Sequence, residues 1–157
     1  MIVLDVDAVV CDFSAGLRKK YPEFIKHNSI NYDLPSYINM SELYKDMQFW
    51  LNLPVLDKPT VHVDAYLSHR PFMEAITKMW LADNGFPIAQ VYHVNSSEEK
   101  ASILLKINPK IYVDDKVSTF EECRALGINA YLYTQPWNKH IVTEYRIDKL
   151  KELEKYV

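Results

Sequence analysis

Two pairs of aspartates are the residues most able to do chemistry together. Asp5 and Asp7 come directly after a short apolar run, and Asp114 and Asp115 follow another apolar run much later in the chain. Four converging carboxylates near an apolar core repel one another strongly unless a cation lies among them. Carboxylate oxygens are ligands that suit Mg²⁺. The two pairs therefore predict a Mg²⁺ site, if the fold brings them together.

The elements that have to position these aspartates alternate between strands and helices. Apolar, β-rich runs predict strands at Ile2–Leu4, Val61–Leu67, Gln90–Val94, Ile111–Val113 and Ala130–Tyr133. Helical patterns predict helices at Phe72–Asn84, Ser97–Ile107, Ser118–Leu126 and Ile147–Tyr156. Capping-box spacings at Ser96 and Ser118 indicate where two of these helices start. We therefore expect an α/β fold, with a Rossmann-like parallel sheet of about five strands flanked by helices.

The stretch between Asp12 and Asp57 departs from this alternation. It is rich in helical and aromatic patterns, with helices expected at Phe13–Lys26 and Ser41–Leu51. We interpret residues 13–56 as a small helical cap, inserted after the first strand of a single domain that spans residues 1–157. Its aromatic residues either stack on a substrate base or form the core that fixes the insertion to the main domain. These residues are Tyr32, Tyr44, Phe49 and Trp50.

Polar residues follow each predicted strand. In order along the chain they are Asp5 and Asp7, Ser68 to Arg70, His93 and Asn95, Asp114 and Asp115, and Thr134 and Gln135. In open α/β sheets, ligands bind in the crevice beyond the carboxyl ends of the strands. We therefore expect the functional site at this edge of the sheet.

The bulk composition narrows the possible functions. A length of 157 residues fits one domain, and a net charge of -3 argues against an extended nucleic-acid surface. Cys11 and Cys123 suggest no disulfide framework, and the histidines show no zinc spacing with them. No apolar run reaches the length of a membrane span, and the sequence enters a strand without a leader. These features predict a cytoplasmic protein that does not associate with membranes.

The order of the motifs resembles the haloacid dehalogenase superfamily of phosphotransferases. That superfamily has an Asp-x-Asp motif after strand one, a Ser or Thr ending strand two, a lysine opening a later helix and an acidic pair after strand four. The matching residues here are Asp5 and Asp7, Ser68, Lys100, and Asp114 with Asp115. The resemblance spans most of the chain.

Finer features resemble the 5′-nucleotidase branch of this superfamily, which includes the 5′(3′)-deoxyribonucleotidases. They are the segments Ser68–Pro71, Asp114–Lys116 and Gln135–Asn138, together with the helical insertion. One residue departs from the superfamily pattern, because Ala8 follows Asp7 where glycine is usual. The cost of that change depends on the backbone angle at Ala8.

The resemblance implies a Mg²⁺-dependent phosphatase. Asp5 is then the nucleophile that forms an aspartyl phosphate, and Asp7 is the general acid and base. Mg²⁺ is held by Asp5, the Asp7 backbone carbonyl and Asp114, with Asp115 bound directly or through water. Ser68 and Lys100 bind the phosphoryl group. The expected substrate is a small phosphorylated molecule, specifically a (deoxy)nucleoside monophosphate.

Two cationic residues have more than one possible role. Arg70 either binds the substrate phosphate or pairs with one of the motif aspartates. Lys100 is either functional or a solvated lysine that pairs with Glu98 or Asp115. Phe49, Trp50, Trp137 and Asn138 are candidates for shaping the substrate pocket, and Cys11 is expected to be a small buried residue.

Two rival functions keep the same fold. One is a phosphatase that acts on phosphorylated nucleic-acid ends, which the acidic balance of the chain disfavours. The other is a non-catalytic module that binds phosphate and Mg²⁺.

Overall fold

A parallel sheet forms the centre of the molecule. The computed structural model describes residues 1–24, 34–71 and 74–157, and within them the sheet has six strands in the order β3-β2-β1-β4-β5-β6. The strands are β1 (Ile2–Asp5), β2 (Ala65–Ser68), β3 (Gln90–His93), β4 (Ile111–Asp114), β5 (Ala130–Tyr133) and β6 (Arg146–Ile147). Every adjacent pair is parallel. This strand order is that of a doubly wound, Rossmann-like sheet, so the predicted fold class is confirmed.

Helices connect most of the strands. Three short ones lie between β1 and β2: α1 (Phe13–Lys20), α2 (Met40–Leu43) and α3 (Met47–Leu51). The later ones are α4 (Glu74–Asp83), α5 (Ser97–Ile107), α6 (Val117–Ala125) and a 3-10 helix at Leu150–Tyr156. None of the helices in the described part of the chain combines the length and apolarity that a membrane crossing requires.

Alternation along the strands divides the apolar core between the two faces of the sheet. Ile2 and Leu4 of β1 belong to one cluster, which also contains Leu17 of α1 and Trp80 of α4. Val3 belongs to the other cluster, together with residues of α5 and α6. Successive side chains of a strand point to opposite faces, so Asp5 follows the direction of Val3. It therefore ends β1 on the face that α5 covers.

The insertion is less helical than the sequence predicts. The predicted helix Phe13–Lys26 already ends at Lys20, where the C-cap Tyr21 leaves the helical conformation. Pro22 explains this, because a proline disfavours the helical conformation of the residue before it. The end of that predicted helix, together with Tyr32 and His27, lies outside the described residues, as does Phe72 at the start of another predicted helix.

The predicted helix Ser41–Leu51 is two helices instead of one. Asp46 separates α2 from α3, because its side chain accepts a hydrogen bond from the backbone N–H of Phe49 and so caps the second helix. Asn39 caps the first in the same way, through the N–H groups of Ser41 and Glu42. Aspartate and asparagine are preferred at such positions.

Three other element predictions need correction. The tail forms the short strand β6 and a 3-10 helix where an α-helix over Ile147–Tyr156 was expected. The sheet consequently has six strands, since β6 extends it beyond β5 through residues too few to show a periodic pattern. Ser118 does not cap α6, because that helix starts one residue earlier with Lys116 at the N-cap. Ser96 does cap α5, as the sequence predicts, by accepting from the Glu99 N–H at 3.2 Å.

Candidate functional site

The carboxyl ends of β1 and β4 lie side by side at the centre of the sheet. The connection that leaves β1 runs to one side of it, and β4 lies on the other side, so a crevice forms between the two strand ends. Asp5 ends β1, and Asp114 ends β4 with Asp115 next in the chain. One carboxylate oxygen from each of these three buried aspartates lies within 4.8 Å of the others. The structure thus brings one member of the first acidic pair together with both members of the second.

Lys100 lies among these carboxylates. It projects from the first turns of α5, and its Nζ donates hydrogen bonds to Asp5 Oδ1 and Asp114 Oδ2, both at 2.9 Å. The side chain is buried, so the alternative of a solvated surface lysine does not hold. Burial by itself favours the neutral amine, but the carboxylates of Asp114 and Asp5 outweigh it and raise the Lys100 pKa. Lys100 is therefore a permanent cation within the cluster.

One lysine does not neutralise three carboxylates. Burial raises the pKa of Asp5 to about 7, with Lys100 opposing the shift and Asp114 adding to it. Burial and the neighbouring Asp114 and Asp5 also raise the pKa of Asp115 well above its ordinary value. Excess negative charge in a buried cluster favours the binding of a cation, because a cation lowers the cost of ionising these groups.

Neighbouring side chains hold the second acidic pair in place. Asp114 accepts hydrogen bonds from the Tyr112 hydroxyl and from the Lys116 N–H at 2.8 Å. Asp115 accepts from Trp137 Nε1 at 3.0 Å, and Asn138 Nδ2 donates to the Asp115 carbonyl at 2.8 Å. Tyr112 is not among the site residues predicted from the sequence. Its position two residues before Asp114 on a strand places both side chains on one face, and that spacing is detectable in the sequence.

The Asp7 carboxylate lies outside the three-aspartate cluster and pairs with Arg70. Arg70 Nε donates to Asp7 Oδ2 at 2.8 Å, and Arg70 Nη2 donates to Asp7 Oδ1 at 2.6 Å. Of the two interpretations of Arg70, the structure shows the ion pair with a motif aspartate. Asp7 still lines the cavity beside the cluster, with part of its side chain exposed.

Ser68 ends β2, the strand next to β1. The register places Asp5 opposite Leu67, so Ser68 lies one residue beyond the end of β1. Its Oγ is buried and has no hydrogen-bond partner among the described residues, and Ser68 is not among the residues that line the cavity described below. A buried hydroxyl without a partner is energetically unfavourable, and a bound acceptor relieves that cost.

A cavity of about 590 Å³ opens above the strand ends. On the sheet side it is lined by Asp5, Asp7, Lys100, Asp114 and Asp115, and by the first turn of α6. On the other side it is lined by the insertion, through Phe13, Leu34, Met40, Tyr44 and Trp50. A charged floor with apolar walls suits a small ligand that carries one strongly anionic group.

The pocket residues proposed from sequence divide into two groups. Trp50 and Trp137 are among the residues that line the cavity, whereas Phe49 and Asn138 are not. Trp50 is buried and stacks against Phe13 and Tyr44 at centroid distances of 5.5 and 5.7 Å. Its Nε1 donates to the Leu43 carbonyl at 2.8 Å. Trp50 therefore belongs to the core of the insertion as well as to the cavity wall, and Tyr44 is the more accessible aromatic residue.

The other strand ends contribute less directly. β3 lies at the edge of the sheet, and neither His93 nor Asn95 is among the cavity-lining residues. Asn95 contacts the cavity wall indirectly, because its carbonyl accepts a hydrogen bond at 2.9 Å from Nε2 of His69, which lines the cavity. At the end of β5, Gln135 Nε2 donates to the Ala8 carbonyl at 2.7 Å. Gln135 thereby supports the turn that carries Asp7.

Cys11 is a buried residue of the same turn. Burial raises its thiol pKa, and its Sγ lies 3.4 Å from Arg70 Nη2. A thiol that stays protonated is a poor nucleophile, so this position agrees with the expected packing role.

Comparisons with protein-family models, curated proteins and solved structures found no match to this chain. The functional conclusion consequently depends on the geometry of the site and on the order of the motifs in the sequence.

Proposed function

We propose that this protein is a Mg²⁺-dependent phosphomonoester hydrolase that uses Asp5 as its nucleophile. The expected substrates are (deoxy)nucleoside monophosphates. The observation that carries this proposal is the position of Lys100, which joins Asp5 and Asp114 within a buried carboxylate cluster at the floor of the cavity. The order of the motifs along the chain supports the same conclusion independently.

The donor set fits Mg²⁺. Three buried carboxylates that converge within 4.8 Å provide hard oxygen ligands and an excess of negative charge. Asp5, Asp114 and Asp115 would hold the ion, together with the Asp7 backbone carbonyl that the family resemblance implies. When bound, Mg²⁺ would screen the substrate phosphate from these carboxylates and withdraw charge from a phosphoryl oxygen.

The reaction has two steps, each carried out by residues of the cluster. An Asp5 oxygen attacks phosphorus, the bond from phosphorus to the leaving oxygen breaks, and Asp7, which enters this step in its protonated form, gives its proton to that oxygen. Asp7 then takes a proton from a water molecule, whose oxygen attacks the phosphorus of the aspartyl phosphate and releases inorganic phosphate and free Asp5. The carboxylate of Asp7 lines the cavity next to the turn that begins at Asp5, as this double role requires.

Two further residues are suited to binding the phosphoryl oxygens. Lys100 is a buried cation that already contacts the nucleophile, so it can neutralise negative charge that develops in the transition state. Ser68 is not among the cavity-lining residues, but it ends the strand next to β1 and its hydroxyl lacks a partner among the described residues. A phosphoryl oxygen that reached this hydroxyl could accept its hydrogen bond.

The size and lining of the cavity support a small substrate. A volume of about 590 Å³ is in the range typical of small-molecule sites. We infer that residues 13–56 act as a cap, because their aromatic and apolar side chains line the same cavity as the carboxylates. A nucleoside would lie against this wall while its phosphate lies on the charged floor.

The test is hydrolysis of a panel of nucleoside monophosphates and p-nitrophenyl phosphate by the purified protein with Mg²⁺. We expect turnover that EDTA abolishes and that Asp5→Asn reduces by at least about a thousandfold, since loss of a nucleophile removes its covalent pathway. The control is Asp83→Asn, which removes an exposed carboxylate at the end of α4 and should leave activity unchanged. Full activity of the Asp5→Asn variant, or of the wild-type protein in EDTA, contradicts the proposal. Faster turnover of end-phosphorylated oligonucleotides would change the substrate class.

A further inference from the structure

Arg70 lies where it cannot readily serve as a phosphate ligand. Its side chain is buried, and it is not among the residues that line the cavity. The guanidinium instead makes two parallel hydrogen bonds to Asp7, at 2.8 and 2.6 Å. Such a bidentate pair fixes the plane of the carboxylate as well as its position.

The rest of the guanidinium is held by residues of different elements. Its Nη1 donates to Thr77 Oγ1 of α4 at 3.3 Å, and Nη2 approaches Cys11 Sγ at 3.4 Å. Its Cζ lies 4.8 Å from the centroid of the Trp50 ring on α3, at cation–π distance. Arg70 is therefore immobilised by α4, by the turn after β1 and by the insertion.

The ion pair leaves part of the Asp7 carboxylate accessible from the cavity. Each carboxylate oxygen can accept two hydrogen bonds, and Arg70 occupies one position on each. The Asp7 side chain is 28% exposed, whereas that of Arg70 is 1% exposed. The remaining acceptor positions of Asp7 are thus the part of this pair that a ligand in the cavity can reach.

We propose that Arg70 is a positioning residue, which holds the Asp7 carboxylate in one orientation for proton transfer and does not contact the phosphate. This inference rests on the proposed phosphatase function. Orientation of a catalytic group affects rate strongly, because a misplaced group has to be brought into position during each turnover. Because Trp50 lies against the guanidinium, the insertion also helps to hold Arg70 in place.

The test compares substrates whose leaving groups differ in their need for a proton. p-Nitrophenolate leaves readily without protonation, whereas phenolate and nucleoside alkoxides depend more on a general acid. Asp7→Asn shows the effect of removing the general acid, which is a larger loss of kcat/KM on phenyl phosphate than on p-nitrophenyl phosphate. Arg70→Lys keeps the charge but loses the two-pronged geometry. We expect it to lower kcat/KM, which reports formation of the aspartyl phosphate, by about 10- to 100-fold on phenyl phosphate and by much less on p-nitrophenyl phosphate.

A double variant separates positioning from other roles. In the Asp7→Asn background, Arg70→Lys should add little further loss, because the group it positions is already gone. If Arg70→Lys does not fold, Thr77→Val replaces it in the test, since it removes one hydrogen-bond acceptor of the guanidinium. It should give a smaller loss with the same dependence on the leaving group. Lys78→Met is the matched control, because it removes an exposed lysine of α4 that pairs with Glu74. It should change the turnover of neither substrate.

Two results overturn the inference while leaving the phosphatase proposal intact. Equal losses of kcat/KM on both substrates, caused by a raised KM, would assign Arg70 to phosphate binding. Equal losses of kcat/KM on both substrates with unchanged KM, accompanied by a lower Tm, would make its role purely structural. A wild-type protein without phosphatase activity overturns both proposals, and it is recognised because Asp5→Asn then behaves like the wild type.

Discussion

At the scale of single residues, Asp5, Asp114 and Asp115 disfavour one another's ionisation. The pKa of Asp5 is raised to about 7 by burial, although Lys100 donates a hydrogen bond to it. Without a metal, a substantial fraction of Asp5 therefore carries a proton near neutrality. Carboxylates bind metal ions in their ionised form, so a cation bound at this cluster would also favour the ionised form of Asp5.

This raised pKa predicts how the stability of the metal-free protein depends on pH. The unfolded chain releases the Asp5 proton near 3.8, whereas the folded protein retains it until about pH 7. The folded state therefore binds more protons across this interval, and the free energy of unfolding falls as pH rises through it. Asp115 shifts in the same direction. We expect the Tm in EDTA to decrease between pH 5.5 and 8, and Asp5→Asn to flatten that slope and raise the Tm at pH 8.

The control for this measurement is again Asp83→Asn, which should keep the wild-type slope because its carboxylate is exposed at the end of α4. A wild-type Tm that rises over the same interval, or an Asp5→Asn variant with an unchanged slope, would show that Asp5 is not the group responsible. Removing a buried charge often stabilises a site while abolishing its activity. The two readouts for Asp5→Asn are therefore expected to move in opposite directions.

At the scale of elements, the turn after β1 holds Asp7 in place at some conformational cost. Ala8 has a φ of 62°, in the left-handed region that side chains with a β-carbon rarely adopt. The conformation is held by a hydrogen bond from the Ala8 N–H to the Cys11 carbonyl at 2.8 Å, and by Gln135 on the Ala8 carbonyl. Strained backbone of this kind is common at functional sites.

The strain predicts that Ala8→Gly stabilises the protein. Glycine adopts positive φ without the steric cost that alanine incurs, which is about 1 kcal/mol. Part of that gain is offset by the greater freedom of glycine in the unfolded chain. We expect a small net increase in the free energy of unfolding, measured by urea denaturation. The same exchange at Ala82, an exposed residue of α4, should cost up to about 1 kcal/mol, since a helix favours alanine.

A loss of stability in Ala8→Gly comparable to that in Ala82→Gly would contradict this explanation. It would mean that the positive φ at Ala8 carries no steric cost. The comparison uses one chemical change at two positions, so differences in side-chain volume do not enter it.

The elements that could be predicted from sequence are those whose pattern is local. β1 and β4 are continuous apolar runs that end in aspartates, and Ser96 caps α5 through a contact three residues away. The errors arose where a neighbouring element determines the outcome. β6 exists because its two residues pair with β5, and α6 starts before Ser118 without a side-chain cap. Neither fact leaves a periodic pattern in the sequence.

At the scale of the whole molecule, the strand order determines which polar residues meet. The sequence indicated that polar residues end each strand, but it did not show that β1 and β4 are neighbours or that β3 is at an edge. That order explains why Asp5 meets Asp114, and why His93 is not among the residues of the cavity wall. Contacts such as Arg70 with Asp7 join residues distant in the chain, and their partners depend on the packing of α4 and the insertion.

The excess negative charge of the cluster predicts that Mg²⁺ stabilises the folded protein. A ligand that binds only the folded state stabilises it by about 2.7 kcal/mol at a hundred times its Kd, which for a chain of this length corresponds to a rise in Tm of about 5–10 °C. The carboxylates converge only when β1 and β4 are adjacent, so the unfolded chain offers no equivalent site. Asp114→Asn should largely remove the shift in a thermal melt at pH 7.5 with and without Mg²⁺, while Asp83→Asn should retain it. An equal shift in all three proteins would assign the effect to weak binding elsewhere on the protein, and would contradict a metal site at these aspartates.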